Sequence, residues 1–222
     1  MTRTLSEAES KALLSPFGIP FLPEVNVTSS GDALLAAAQL GYPLVAKLCG
    51  DNIAHKTERG LVRLMIQTGP ELQGAVDDLL DKATVEDGEV TVLVAPMVRA
   101  TRELIAGITF DSQFGLTAVL GIGGIFTEVI ADVAIRLVPI TEIDAEEMIS
   151  ELRTQSFLEP FRGEPAVDRK ALVRILMALS DFASSRPDLV SVDLNPLMIV
   201  DGAPVAVDAL VEVYNRSEPG AR

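Results

Sequence analysis

The 222-residue chain carries 32 acidic against 18 basic residues, a formal charge of −14, and 48% of its residues are apolar. This composition suits a globular protein with a real core and argues against a surface built for nucleic acid or anionic lipid, which an acidic molecule repels at long range. The single cysteine, Cys49, excludes an intramolecular disulfide, and the longest uncharged stretch, 112–127, is glycine-punctuated and shorter than the ~20 apolar residues a membrane helix needs; with no charged-then-apolar leader before Leu5, a cytoplasmic protein is expected.

Taken in chain order, Ser6-x-x-Glu9 supplies a capping oxygen and a first-turn acid, so a helix opens there. A second helix is predicted over 30–40, stopped by Gly41, and Pro43 begins an extended run. Apolar, β-branched segments then predict strands over 44–49 and 61–67. Thr68-x-x-Glu71, with Pro70 between, opens a helix whose Leu72, Val76, Leu79 and Leu80 recur at helical spacing. Strands are predicted over 90–98, 104–110, 116–120, 125–130 and 134–138, with no helix between them. Thr141-x-x-Asp144 caps another helix, 161–165 reads as a Gly/Pro loop, and Leu172, Ile175, Leu176 and Leu179 mark a last helix. The chain ends in strands over 189–200 and 203–210 joined by an Asp201-Gly202 turn. This order predicts an α+β protein with mixed or antiparallel sheets and helices on one face.

Several residues could carry chemistry. Lys47 lies inside the apolar run Leu44-Val45-Ala46-Lys47-Leu48-Cys49, where an ammonium is costly to desolvate unless an anion meets it; a strand-edge lysine reaching water is the competing reading. His55, the one histidine, sits with Lys56, Thr57, Glu58, Arg59 and Gly60 in a polar loop, a set suited to phosphate but also compatible with a solvated loop. Asp193 and Asn195 are two apart on a strand, so both project to one face as oxygen ligands of the kind magnesium takes; an Asn-Pro turn is the alternative. Arg136 repeats the Lys47 pattern, and Glu103 heads a strand where it could pair a cation or help bind metal. Gly121-Ile122-Gly123-Gly124 lacks the spacing of a dinucleotide fingerprint and reads as a loop that could cover phosphates.

Taken together, these landmarks resemble, in the same order, the ATP-grasp module of NDP-forming acyl-CoA synthetases: Glu9-Ser10-Lys11 through Gly18-Ile19-Pro20, Tyr42 through Lys47, His55-Lys56-Thr57-Glu58, Phe114-Gly115, Gly121 through Glu128, Arg136 through Pro139, and Asp193 through Pro196. The resemblance implies an ATP-grasp fold of two lobes, about 1–95 and 96–222, enclosing a nucleotide cleft within one domain. It implies a ligase that forms acyl-CoA, ADP and phosphate from a carboxylate, CoA and ATP, together with a CoA-binding alpha-type partner subunit in a hetero-oligomer. It further implies that Lys47, Glu103, Gly123 and Gly124 bind nucleotide, Asp193 and Asn195 hold Mg2+, His55 relays a phosphoryl group, and Lys56 and Arg136 neutralise phosphate charge. Where many relatives have Gln-Glu before Met, this chain has Ala95-Pro96-Met97. Proline has no N–H, so base recognition is expected to be arranged differently, and a nucleotide-binding or regulatory module with reduced turnover is the alternative reading.

Overall fold

A computed structural model describes residues 2–50, 53, 59–124 and 131–214. It divides into a smaller unit, Leu22–Arg99, and a larger one made of Met1–Phe21 and Ala100–Arg222.

In the smaller unit, β2 (Val25–Val27), β3 (Leu44–Gly50), β4 (Val62–Ile66) and β5 (Val90–Pro96) form an antiparallel sheet in the order β2-β5-β3-β4. Helices α2 (Ser30–Leu40) and α3 (Gly69–Asp81) cover one face. Each starts as its sequence dictates: Ser29 accepts from the Asp32 N–H and Thr68 from the Glu71 N–H. Leu44, Ala46 and Leu48 of β3 pack with Ala33, Leu72, Val76 and Leu79 of the helices. The alternate residues Val45 and Cys49 form a second, small apolar cluster with Leu93 and Ala95 on the opposite face.

A bidentate ion pair ties this unit together. Arg59 donates to both oxygens of buried Asp87 at 2.7 and 3.0 Å, and Asp87 also accepts from the Thr84 amide and hydroxyl. The Arg59 side-chain hydrogen bonds, followed by those from Thr84, hold the Asp87 carboxyl well below the usual carboxylate range. Replacing Asp87 with alanine is expected to cost about 2–3 kcal/mol, less than a fully buried pair because Arg59 is partly exposed; urea unfolding measures it. The sign follows from the depressed pKa. The contribution is complete above the ordinary aspartate range and falls away as pH drops below it toward the folded value, so the gap between wild type and Asp87→Ala should narrow in acid.

The larger unit is built on a second antiparallel sheet in the order β1-β11-β9-β6-β7-β8, with β10 also paired to β9. Its strands are β1 (Thr2–Thr4), β6 (Glu103–Asp111), β7 (Gly115–Ile122), β8 (Val133–Leu137), β9 (Leu189–Val200), β10 (Ala203–Ala206) and β11 (Leu210–Tyr214). Helices α4 (Glu142–Glu151) and α5 (Arg169–Ser185) supply Ala145, Met148, Leu172, Leu176 and Leu179 to a core shared with Leu104, Ala106, Ile108, Ala118, Leu120, Val192 and Leu194. The strand residues between these core positions face away from that core. Capping boxes open α1 (Glu7–Leu14) at Ser6 and α4 at Thr141, as the sequence predicts.

Two expectations are corrected. Residues before Phe21 do not belong with the lobe that follows them. Thr2–Thr4 pair with β11, and Leu5, Leu14 and Ile19 join the larger core, so sequence neighbours give way to a strand pairing more than 200 residues away. The run 203–210 is not one strand either. β10 pairs with the second half of β9 and β11 with its first half, which leaves 207–209 as a connection. The strand predicted over 125–130 lies outside the described residues.

Candidate functional site

In the smaller unit, Lys47 lies on β3, which is hydrogen-bonded to β5 on one side and β4 on the other, so the strand-edge reading fails. Alternation puts its side chain with Val45 and Cys49, on the face not covered by α2 and α3. This face offers an apolar floor of Leu93 and Ala95, edged by Val62 and Met97, and half-buried Lys47 stands on the same side. Such a surface suits a flat ring beside an anionic group. At its edge, Pro96 has no N–H and the Met97 N–H is committed to the Pro43 carbonyl at 2.8 Å, so neither offers a main-chain donor to a base. His55 and Lys56 lie outside the described residues.

In the larger unit, Val192 and Leu194 are buried against the helices, which turns Asp193 and Asn195 to the face away from α4 and α5. β9 is a continuous strand across Asn195-Pro196, bulged against β6, so the Asn-Pro turn reading also fails. Asp193 lies opposite Gly107 of β6. A Cβ on Gly107 would fall 2.3 Å from the Val192 carbonyl oxygen, so glycine is what lets the two strands approach there. Glu103 stands on the same face four residues further along β6, about 13 Å from Gly107, with Asn195 between them at the bulge. Gly123 donates its N–H to the Glu103 carbonyl at 2.8 Å, and a Cβ there would press on the Glu103 and Leu104 backbone at 3.0–3.1 Å, while a Cβ on Gly124 would lie 3.7 Å from a Glu103 carboxylate oxygen. Glu103, Gly123 and Gly124 are therefore brought together at one end of the face.

Asp208, in the connection between β10 and β11, carries no pattern in its neighbouring residues that marks it as a site residue. Desolvation and the negative charge of Asp208 push the Asp193 carboxyl above its ordinary value, against a hydrogen bond donated by the Asn195 amide. Because Asp193 is open to solvent, water moderates the desolvation, and the like charge is what a cation would relieve. Two carboxylates and an amide carbonyl oxygen fit a hard divalent ion that keeps several waters.

Arg136 is not part of this arrangement. It shares the helix-covered side of β8 with Ala134, and its guanidinium donates to Glu151 at 2.5 and 2.9 Å and to Glu147 at 3.3 Å, both on α4. The Glu151 hydrogen bonds, against desolvation and with help from Glu147, raise its pKa further. Its charge is met by carboxylates, so the phosphate-neutralising role is not carried forward. An apolar groove of about 550 Å³, lined by Phe110, Leu116, Pro139, Leu189 and Tyr214 among others, contains none of the expected site residues.

The pattern that defines the ATP-grasp domain matches residues 1–213. The chain is 37% identical over 212 residues to the acetate–CoA ligase [ADP-forming] II subunit beta of Pyrococcus furiosus, covering 92% of this chain and 89% of that one. Among solved structures it resembles Ca. Korarchaeum cryptofilum dinucleotide forming acetyl-coenzyme A synthetase 1 in complex with coenzyme A, Ca-AMPCP and HgCl+ (TM-score 0.88, 30% identity, 96% of this chain and 94% of that chain). The same protein with coenzyme A and Mg-AMPPCP, its phosphohistidine segment pointing towards the nucleotide binding site, matches at a TM-score of 0.81 and 30% identity, over 96% of this chain and 93% of that chain.

Proposed function

Because this chain belongs to the ATP-grasp domain family, we propose that it is the nucleotide-binding, beta-type subunit of an ADP-forming acid–CoA ligase. With a CoA-binding partner subunit it interconverts a carboxylate, CoA and ATP with acyl-CoA, ADP and phosphate. The observation that carries this reading is the reciprocal match to a beta subunit of such a ligase, 92% of one chain against 89% of the other.

In this reading Lys47 meets the nucleotide phosphates, the apolar floor around it takes the base, Gly123 and Gly124 form the phosphate cover, and Glu103 beside them helps to position the metal. Asp193, Asn195 and Asp208 hold magnesium, which when bound neutralises triphosphate charge. His55 attacks the terminal phosphorus: a nitrogen–phosphorus bond forms, the bond to the bridging oxygen breaks, and ADP leaves. Lys56 offsets phosphate charge beside it, and the phosphoryl group then passes to the partner. The test mixes the chain with a CoA-binding alpha-type subunit, short carboxylic acids including acetate, CoA and Mg-ATP, and follows ADP and thioester together. Stoichiometric release of both is expected; ADP without thioester, or neither, rejects the ligase assignment.

The donor-poor edge at Pro96 and Met97 favours a second reading, a regulatory nucleotide-binding module with reduced turnover. Calorimetric titration with ATP separates the two, because tight binding with no phosphorylated protein supports the module.

A further inference from the structure

Helix α1 carries a buried ion pair that the proposed chemistry does not use. Lys11 Nζ donates to Glu7 Oε1 at 2.7 Å, the two residues being 6% and 1% exposed. A buried pair of this kind is seldom retained for stability alone, since apolar residues of similar volume often do as well. The ammonium also donates to the carbonyl oxygen of Val207, at 3.2 Å and 196 residues along the chain. Val207 immediately precedes Asp208 and lies in the connection between β10 and β11.

That connection is held from outside its own strands. The Ala206 N–H donates to the Pro20 carbonyl at 2.9 Å, and the Val207 N–H to the Pro196 carbonyl at 3.2 Å. Ser10, on the same helix as Lys11, accepts from the Val211 N–H at 3.0 Å. The peptide that carries Asp208 is thus fixed on one side by the residue following Asn195 and on the other by α1. A carboxylate ligand must sit within a few tenths of an ångström of its productive position, and groups that orient ligands govern ion affinity nearly as strongly as the ligands do.

We infer that Lys11, charge-balanced by Glu7, is a positioning residue for the cation site: it sets the place of Asp208 through the Val207 carbonyl. The inference rests on the proposed assignment of magnesium to Asp193, Asn195 and Asp208. In this inference Lys11 acts through the Val207 carbonyl and not as a ligand of nucleotide or metal. Its effect belongs to metal-dependent binding and should be absent from metal-free binding.

The full chain is titrated with ADP in the presence and absence of Mn2+, and bound Mn2+ is followed by electron paramagnetic resonance. Glu7→Gln/Lys11→Met removes both charges together, and Lys11→Arg keeps the pair while moving the donor. In the double variant the strengthening of ADP binding by Mn2+ is expected to fall about tenfold or more, with metal-free ADP binding unchanged and a cooperative melting transition retained. In the complex with the partner, the Mg2+ concentration for half-maximal rate should rise while the rate at saturating Mg2+ recovers. Wild-type Mn2+ dependence in the double variant, alongside its loss in Asp208→Asn, overturns the positioning role and leaves the metal assignment standing. Wild-type Mn2+ dependence in Asp208→Asn itself overturns the metal assignment. Should the double variant fail to fold, Lys11→Arg decides: a weakened Mn2+ dependence supports the inference, and an unchanged one rejects it.

Discussion

Replacing His55 with asparagine is expected to abolish phosphorylation of this chain by Mg-ATP and to slow thioester formation with the partner by about 10³-fold or more. The reason is chemical. A neutral imidazole nitrogen has a lone pair that can attack phosphorus and, once phosphorylated, releases the group readily; a carboxamide nitrogen has neither property. His55 is the one histidine in the sequence, so no neighbouring imidazole can substitute. Asparagine keeps polarity and approximate size, so nucleotide binding on the Lys47 face should be preserved. Acid-quench labelling with γ-phosphate-labelled ATP reads the phosphoprotein directly, and coupled ADP release reads the overall rate. An unchanged rate in His55→Asn removes the relay role and moves the phosphoryl acceptor to the partner alone.

The second large effect concerns Asp193. Asp193→Asn and Asp208→Asn should each lower the Mg2+-dependent rate by about 10²-fold, because each deletes one anionic ligand from a site that has few. Stability should move the other way. The Asp193 carboxyl is pushed up by desolvation and by Asp208, so the folded state disfavours its ionised form. As pH rises through the aspartate range, ionisation of Asp193 therefore weakens the metal-free fold. Asp193→Asn removes that penalty and should raise the melting temperature of the metal-free chain above pH 6, while forfeiting the further rise that Mg2+ gives wild type. A lower melting temperature without metal would show that Asp193 has a structural role instead.

These two predictions rest on different degrees of legibility. His55 is a weak local signal, a lone imidazole among cations that suits a solvated loop equally well, and its relay role comes only from the order of motifs along the whole chain. The Asp193–Asn195 pair was visible in the sequence, since strand alternation fixes which residues share a face once the strand is recognised. Arg136 shows where that logic stops. The same alternation places it on a face, but only the packing of α4 decides that this face is covered and that Glu147 and Glu151 await the guanidinium. Lys47 stands at the same kind of strand position but on the other kind of face, because α2 and α3 pack against the opposite side of its sheet.

By itself the sequence determined the local elements: helix starts at Ser6, Thr68 and Thr141, where a side-chain oxygen within three residues closes the first turn, and the apolar strands through Lys47, Glu103 and Asp193. Tertiary structure alone decided which unit residues 2–21 join, and the break between β10 and β11 that presents Asp208 beside Asp193. It also tied Lys11 to Val207. Capping and periodicity are short-range and leave a pattern in neighbouring residues, whereas a contact across nearly 200 residues depends on how sheets and helices close upon one another, and no local pattern encodes it.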